Sequence, residues 1–281
     1  MRAATQIAFL GGGHMARALI QGLLRHGYEA AQLRVGEPLA AQRASLEREF
    51  GVTALADNRA ALAEATLVVL AVKPQQLPAL LGALRPELQR QRPLLLSIAA
   101  GARMADLGAC CPGLPIVRAM PNRAALVGAG ATALCAAAGV DGAARARAEQ
   151  VCAAVGRTVW VERESDLDIV TAVSGSGPAY FFLLAEQLAA AGVALGLDAA
   201  TAEVLARQTL CGAGALAAGA ATLAEERAAV TSAGGTTAAA LAVLAAGGFD
   251  KLVGAAVAAA TRRSAELAAQ FGAADPPARP D

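Results

Sequence analysis

The sequence predicts an α/β fold in two parts. An N-terminal Rossmann-type doubly wound sheet spans residues 1–163, and an all-helical C-terminal domain spans residues 164–281. Three observations carry this. An apolar run, Ile7–Leu10, breaks into Gly11-Gly12-Gly13 and then into a helical pattern. Further unbroken apolar runs follow, separated by helical patterns. Beyond about residue 163 no convincing strand remains. Strands buried on both faces read as continuous apolar runs, and their alternation with helices implies a parallel sheet covered on both sides.

Taken in order, the apolar run Ile7–Leu10 is a strand, Met15–His26 a helix closed by Gly27, and Leu33–Val35 a second strand. Together they make a βαβ unit of about 30 residues. Leu39–Phe50 reads as a helix with Gly51 just past its end, where a left-handed C-cap is common. Leu67–Val72 is the most apolar strand, Gln75–Leu84 a helix, and Leu94–Ile98 and Ile116–Ala119 are further strands. Thr158–Val161 is the last strand. Helices then cover Ile169–Gly192 and Asp198–Gly219, one starts near Ala238, and another covers Phe249–Gln270. The proline-rich tail Asp275–Asp281 reads as frayed.

The chain has 281 residues, 56% hydrophobic but only 3% aromatic, so small aliphatic side chains do the packing. A net charge of +1 with no basic run argues against nucleic acid or a membrane surface as partner. Five scattered cysteines with no C-x-x-C pair, and only two histidines, predict reduced thiols and no metal site. The first residues lack the pattern of a signal peptide. The long uncharged stretch Ala228–Phe249 carries three threonines, a serine and two adjacent glycines, a poor membrane span. The expectation is a cytoplasmic protein.

The chemistry resides in glycine-rich turns. Gly11, Gly13 and Ala16 form G-x-G-x-x-A between a strand and a helix. The first glycine permits the tight turn, the second lets main chain approach a pyrophosphate, and the small third residue lets helix pack on strand. Free N–H groups at the helix start favour phosphate; the alternative is a turn with no ligand. Glu37 ends the second strand, where an acid commonly binds the ribose 2′-hydroxyl of NAD. That argues for tolerance of NAD, because a carboxylate repels a 2′-phosphate; Arg43 is the nearest downstream arginine. Glu37 also reads simply as an exposed loop acid. Ala71-Val72-Lys73-Pro74 follows the most apolar strand at the sheet's carboxyl edge, where ligands of such folds bind. There Lys73 either lines a cofactor pocket or snorkels.

Ser174-Gly175-Ser176-Gly177-Pro178-Ala179-Tyr180 opens a long apolar helix and reads as a packing or subunit-contact element rather than a catalytic one. Thr231-Ser232-Ala233-Gly234-Gly235-Thr236-Thr237 leads into another helix. Its glycine pair presents N–H groups to a carboxylate, and Thr236 and Thr237 are equally plausible N-caps. No hydrolytic triad or paired-carboxylate signature appears. Hydride transfer needs none, since the cofactor carries the chemistry.

Together these motifs, with Ser97-Ile98-Ala99-Ala100-Gly101 and Met120-Pro121-Asn122, resemble the pyrroline-5-carboxylate reductase family over about residues 7–265. The resemblance implies reduction of 1-pyrroline-5-carboxylate to L-proline, the last step of proline biosynthesis, with NADP(H) as cofactor and NAD(H) possible. It also implies a helical domain that interlocks two subunits, with substrate held between the helical regions of the pair. By position, Leu10, Gly11, Gly12, Gly13, His14, Met15, Asn58, Ala71, Val72, Lys73, Pro74 and Ala100 line the cofactor, joined by Glu37. Met120 and Asn122 lie near the nicotinamide. Ser232, Gly234, Gly235, Thr236 and Thr237 hold the substrate, with the Thr237 hydroxyl at the ring nitrogen as the catalytic group. The chain departs from the family at His14 (usually Asn or Gln), Ala233 (Pro), Arg123-Ala124 (Thr-Pro) and Ala220 (Glu). Two other readings are a β-hydroxyacid dehydrogenase, which needs a lysine acid that Lys73 and Lys251 are not placed to supply, and a dinucleotide sensor.

Overall fold

A computed structural model describes residues 5–272; the tail 275–281 lies outside them. The first half alternates strand and helix. β1 (Ile7–Leu10), α1 (His14–Arg25), β2 (Leu33–Gly36), α2 (Ala40–Phe50), β3 (Thr53–Leu55), α3 (Asn58–Ala61), β4 (Leu67–Leu70), α4 (Leu77–Gln91), β5 (Leu94–Ser97), α5 (Met104–Cys110) and β6 (Ile116–Met120) come first. β7 (Gly130–Ala136), α6 (Gly142–Ala153) and β8 (Gly156–Trp160) complete the sheet. The strands form one sheet in the order β3-β2-β1-β4-β5-β6-β7-β8. The chain leaves β1 toward one edge and returns at β4 toward the other, so β1 and β4 flank the topological switch point.

Alternate strand residues feed two cores. Ile7 and Phe9 of β1 pack with Leu19, Ile20 and Leu23 of α1 and Val151 of α6. Ala8 and Leu10 face the other way, onto Leu77, Leu81, Leu84 and Leu88 of α4 and Leu107 of α5. This two-sided burial is why the strands show no polar alternation.

The structure corrects the sequence reading in several places. The sheet is mixed, because β6 and β7 pair antiparallel. The connection, residues 121–129, is shorter than the dozen or so residues a parallel crossover takes. α4 runs through Pro86 to Gln91 rather than stopping at Leu84. An interior proline costs about 3 kcal/mol, but this face buries four leucines at about 1.5–3 kcal/mol each, and packing prevails. The expected helix 169–192 is broken into α7 (Asp166–Val170), a π-turn at Thr171–Gly175 and α8 (Gly177–Ala194), with Pro178 in the first turn of α8.

After α8 come α9 (Ala199–Ala217), α10 (Leu223–Ala229), α11 (Thr236–Ala246) and α12 (Phe249–Gly272). The chain divides into two compact units. One holds the residues up to Gly175 and those from Ala260 onward, and the other is Ser176–Ala259. The end of strand structure at Trp160 and the division into units are therefore different points. Within the second unit α8 packs along α9, yet Phe181, Phe182 and Leu183 of α8 are more than half exposed. A helix that is apolar all round ordinarily belongs inside something larger. Asp166–Ala194 is also long and apolar enough to cross a membrane by length and composition, which the sequence reading did not anticipate.

Candidate active site

Register aligns the glycine turn with its neighbours. Leu10 lies opposite Gly36 of β2 and Leu70 of β4. The next residue of each strand, Gly11, Glu37 and Ala71, therefore stands side by side at the carboxyl edge. Gly11 has φ +103°, and a Cβ there would sit 2.9 Å from the Ala71 carbonyl oxygen. Its N–H donates to Gly36 O at 2.8 Å, and the Ala71 N–H donates to Leu10 O at 2.9 Å. Only glycine accommodates both the dihedral and the approach. Ala16, 1% exposed, lets α1 lie against the sheet.

Gly13 is exposed, and a Cβ built on it meets nothing within 4 Å. It caps α1 in extended conformation with no side-chain hydrogen bond, and the first turn holds no acid. The first N–H groups of α1 are thus left to a phosphate, with His14 exposed and Met15 half-buried beside them. This open cradle fits a dinucleotide pyrophosphate.

Glu37 is 9% exposed, so it is no loose surface acid. Its Oε2 accepts from Gly12 N and its Oε1 from Leu39 N, both at 3.0 Å. Two arginines brace the two turns that the Glu37 carboxylate joins. Arg17 donates Nε–H to Gly12 O and ion-pairs with Glu49 at 2.7 Å. Arg43 donates from Nη1 to the carbonyls of Glu37 and Pro38 at 2.9 and 2.7 Å. Sequence reasoning missed Arg17; a basic side chain at the start of the helix that follows the glycine turn was the available signal.

The other cofactor candidates follow the same edge. Asn58 begins α3, and its Oδ1 is buried without a partner. Ala71, Val72 and Pro74 are half-buried and Lys73 is exposed at the end of β4. Ser97 ends β5 with an unpartnered buried hydroxyl, and Ala100 is exposed just beyond. Met120 ends β6. Asn122 is tied into the main chain, with Oδ1 accepting from Ala131 N and Nδ2 donating to Ser174 O, both at 3.1 Å. It braces the β6–β7 connection, a role its sequence position did not reveal.

Ser232, Gly234, Gly235, Thr236 and Thr237 lie in the second unit. Gly234 has φ +68°, and Gly235 N donates to Ser232 O at 3.0 Å. Gly235 is the N-cap of α11, with ψ 174° and no side-chain hydrogen bond, and Thr236 and Thr237 are the first helical residues. The helix therefore starts two residues earlier than expected, and neither threonine caps it. The turn offers uncapped N–H groups beside two hydroxyls, a donor set suited to a carboxylate and a nearby polar atom. Among the described residues, no group of three His, Cys, Asp or Glu side chains could hold a metal.

Comparison with known proteins agrees with both halves. A family model for pyrroline-5-carboxylate reductase dimerisation matches residues 164–267, and one for coenzyme F420-dependent NADP oxidoreductases matches residues 6–101. A pyrroline-5-carboxylate reductase of Pseudomonas aeruginosa is 47% identical, over 95% of this chain and 98% of its own. A solved pyrroline-5-carboxylate reductase of Coxiella burnetii superposes with a TM-score of 0.91 at 38% identity, over 94% of this chain and 99% of its own. The Plasmodium falciparum pyrroline carboxylate reductase, solved with NADP bound, gives 0.78 at 28% identity, over 94% and 98%.

Proposed function

This chain belongs to the pyrroline-5-carboxylate reductase family, and from that premise we propose that it reduces the C=N bond of 1-pyrroline-5-carboxylate to give L-proline. The supporting observation is the open glycine cradle at the switch point, in a chain 47% identical to a named reductase almost end to end. NADP(H) serves as cofactor, with NAD(H) possible, and supplies the hydride.

The chain's own residues bind and orient. The N–H groups at the start of α1 hold the pyrophosphate, with Gly11 and Gly13 leaving room for it. Ala71–Pro74, Ala100 and Met120 line the remaining length of the dinucleotide, and Asn122 keeps Met120 in place through the β6–β7 connection. Ser232 and the Gly234–Thr237 turn receive the substrate carboxylate on main-chain N–H groups. The Thr237 hydroxyl would bond the ring nitrogen of a substrate that arrives as the protonated iminium, so that this nitrogen already carries the amine proton when the C=N electron pair returns to it. Threonine is a poor acid, so we assign Thr237 to orientation, where effective concentration supplies much of the rate.

The chain acts as a homo-oligomer, in keeping with the dimerisation match. The apolar surface of α8 is assigned to a second subunit rather than to lipid. The π-turn at Thr171–Gly175 and Pro178 interrupt the Asp166–Ala194 stretch, and all of it falls inside that match. Nucleic acid and membrane have no part in this reading, and the compartment is the cytoplasm. The test is imine-dependent oxidation of NADPH or NADH near neutral pH, with proline-dependent reduction of NADP+ or NAD+ at high pH. Turnover is expected in both directions, and its absence from both overturns the proposal.

A further inference from the structure

We propose that the open face of β7 and β8 is a seat for a second copy of this chain, filled by apolar side chains of the partner's helical unit. The inference rests on the homo-oligomer of the reductase reading and extends its interface from α8 onto the sheet.

The hollow follows from the strand residues. In the parallel register of β7 and β8, Ala131 pairs with Arg157 and Ala133 with Val159. These positions share one face of the sheet, since side chains alternate along a strand. The two alanines are too short to fill that face, and a cavity of about 280 Å³ opens there. α6 covers the opposite face of β8, where Thr158 donates to Glu149 at 3.0 Å and Arg145 lies 5.1 Å from the centre of the Trp160 ring. Parallel strands are ordinarily covered on both faces. Here α7 and the π-turn close the hollow only in part. They leave Val159 58%, Ile169 47% and Val173 58% exposed around it.

Three observations point to the occupant. A small ligand is normally fixed by a few converging polar groups, and this groove is apolar where it is deepest. The Ser174 hydroxyl is already spent on Val170 O at 3.1 Å, and Arg157 is exposed. Apolar side chains suit it better. Second, the wall from Ile169 to Ser174 falls inside the stretch that matches the dimerisation model, residues 164–267, and the β7–β8 floor is continuous with that wall. Third, the helical unit carries the surface such a groove needs, with Phe181 of α8, Val243 of α11 and Leu252 of α12 all exposed. In a two-fold pair each groove receives the other copy's helices, so every contact is made twice.

The seat lies beside the candidate site. Ala131 N donates to Asn122 Oδ1, and Ser174 O accepts from Asn122 Nδ2, each at 3.1 Å. Ala131 and Ser174 both line the groove. A partner seated there closes over the bracket that the reductase reading places near the nicotinamide.

The test reads assembly apart from turnover. Hydroxyl-radical footprinting of the full-length wild-type oligomer compares Val159, Ile169 and Val173 with Leu39, which is 62% exposed and lies toward the β3 edge of the sheet. After correction for intrinsic reactivity, the three groove residues are expected to label several-fold less than Leu39. Val159→Glu and Val173→Glu are then measured by light scattering. Each puts two charges into an apolar two-fold interface, so the dissociation constant should rise about a hundredfold or more, with NADPH binding by fluorescence retained. In monomeric Val159→Glu, labelling of Ile169 and Val173 should rise several-fold. Wild-type labelling equal to that of Leu39, or a wild-type oligomer in both variants, overturns the proposal. Protection that persists in monomeric Val159→Glu means that the chain's own residues cover the groove, and overturns it too. Should a variant fail to fold, the wild-type footprint still decides. Absence of imine turnover in the wild type would sink the substrate reading while footprint and scattering still judged the groove.

Discussion

The carboxylate of Glu37 accepts a hydrogen bond from the amide of Gly12 at 3.0 Å, across 25 residues of sequence. Arg17 takes the Gly12 carbonyl from the other side. The middle residue of the Gly11–Gly13 turn is thus held by both of its polar groups. A turn fixed in this way loses little freedom on binding, which favours affinity.

Replacing that glycine should expose the constraint. A Cβ on Gly12 would lie 2.6 Å from Leu46 Cδ1 and 3.4 Å from Glu37 Oε2. Leu46 is fully buried, so it yields only by disturbing the α1–α2 core. Gly12→Ala is expected to cost about 1–3 kcal/mol of stability and to raise the KM for cofactor. Gly11→Ala should cost more, because it adds a backbone collision with Ala71 to an unfavourable φ. Thermal melts with and without cofactor check both. A Gly12→Ala melt matching the wild type would remove the packing argument.

Much of this edge was legible in the sequence and part was not. Gly11, Gly13 and Ala16 were readable because their roles depend on local spacing. The Glu37–Gly12 bond depends on the parallel register of β1 and β2, which no local pattern encodes. β7 escaped notice because Gly-Ala-Thr-Ala-Leu-Cys-Ala is poor in strand-forming residues. Its antiparallel pairing with β6 is also what brings Ala131 N to the Asn122 side chain. Thr236 and Thr237 looked like caps by residue type, but the extended Gly235 takes that position.

Gly36 makes room for the Asn58 amide. A Cβ at Gly36 would fall 2.0 Å from Asn58 Oδ1, closer than any contact allows. Asn58 is a cofactor candidate and Gly36 is not, yet Gly36→Ala should displace Asn58 and weaken cofactor binding. Asn58→Ala should weaken it too. The double variant should bind no worse than the weaker single one, since both act through the same amide. Additive losses in a cofactor titration would separate the two residues.

The exposed face of α8 should govern assembly. Phe181 and Leu184 lie about one helical turn apart and are 61% and 43% exposed in the single chain. Burying such side chains contributes about 1.5–3 kcal/mol each, and a two-fold interface counts each of them twice. Phe181→Glu with Leu184→Glu is expected to give monomers by light scattering and to abolish imine turnover. Cofactor binding should survive, because the glycine cradle belongs to the other compact unit. An intact oligomer in that variant would place the interface elsewhere.

Two helix-start carboxylates set an acid limit on the helical unit. Asp198 is held below the usual carboxylate range by hydrogen bonds from Thr201, and Glu225 by those of Thr222, main chain first and hydroxyl second. Both shifts are downward, so the stabilisation is complete above the unfolded pKa values near 4. It is lost as pH falls through the lower folded values. Asn also serves as an N-cap but does not titrate. Asp198→Asn should therefore melt close to the wild type at neutral pH and fall less steeply below about pH 4. Parallel Tm-against-pH curves would show that Asp198 adds nothing to the acid transition.

Thr237 allows function to be separated from folding. Because Gly235 occupies the cap of α11, the Thr237 hydroxyl is not needed to start the helix. Thr237→Val keeps the branched shape and removes only the hydroxyl, so stability should stay within about 0.5 kcal/mol. If that hydroxyl orients the imine nitrogen, the variant loses one hydrogen bond worth about 0.5–1.5 kcal/mol. The bond strengthens as the nitrogen gains electron density, so the loss should fall mainly on kcat rather than KM. The expected result is a drop of a few-fold to about tenfold in kcat/KM for the imine, with cofactor affinity unchanged. Thr237→Ser should restore most of it, since serine carries the same donor. Equal kcat in the Val variant and the wild type would leave substrate binding to the main-chain N–H groups of Gly234–Thr237 and deprive the hydroxyl of its role.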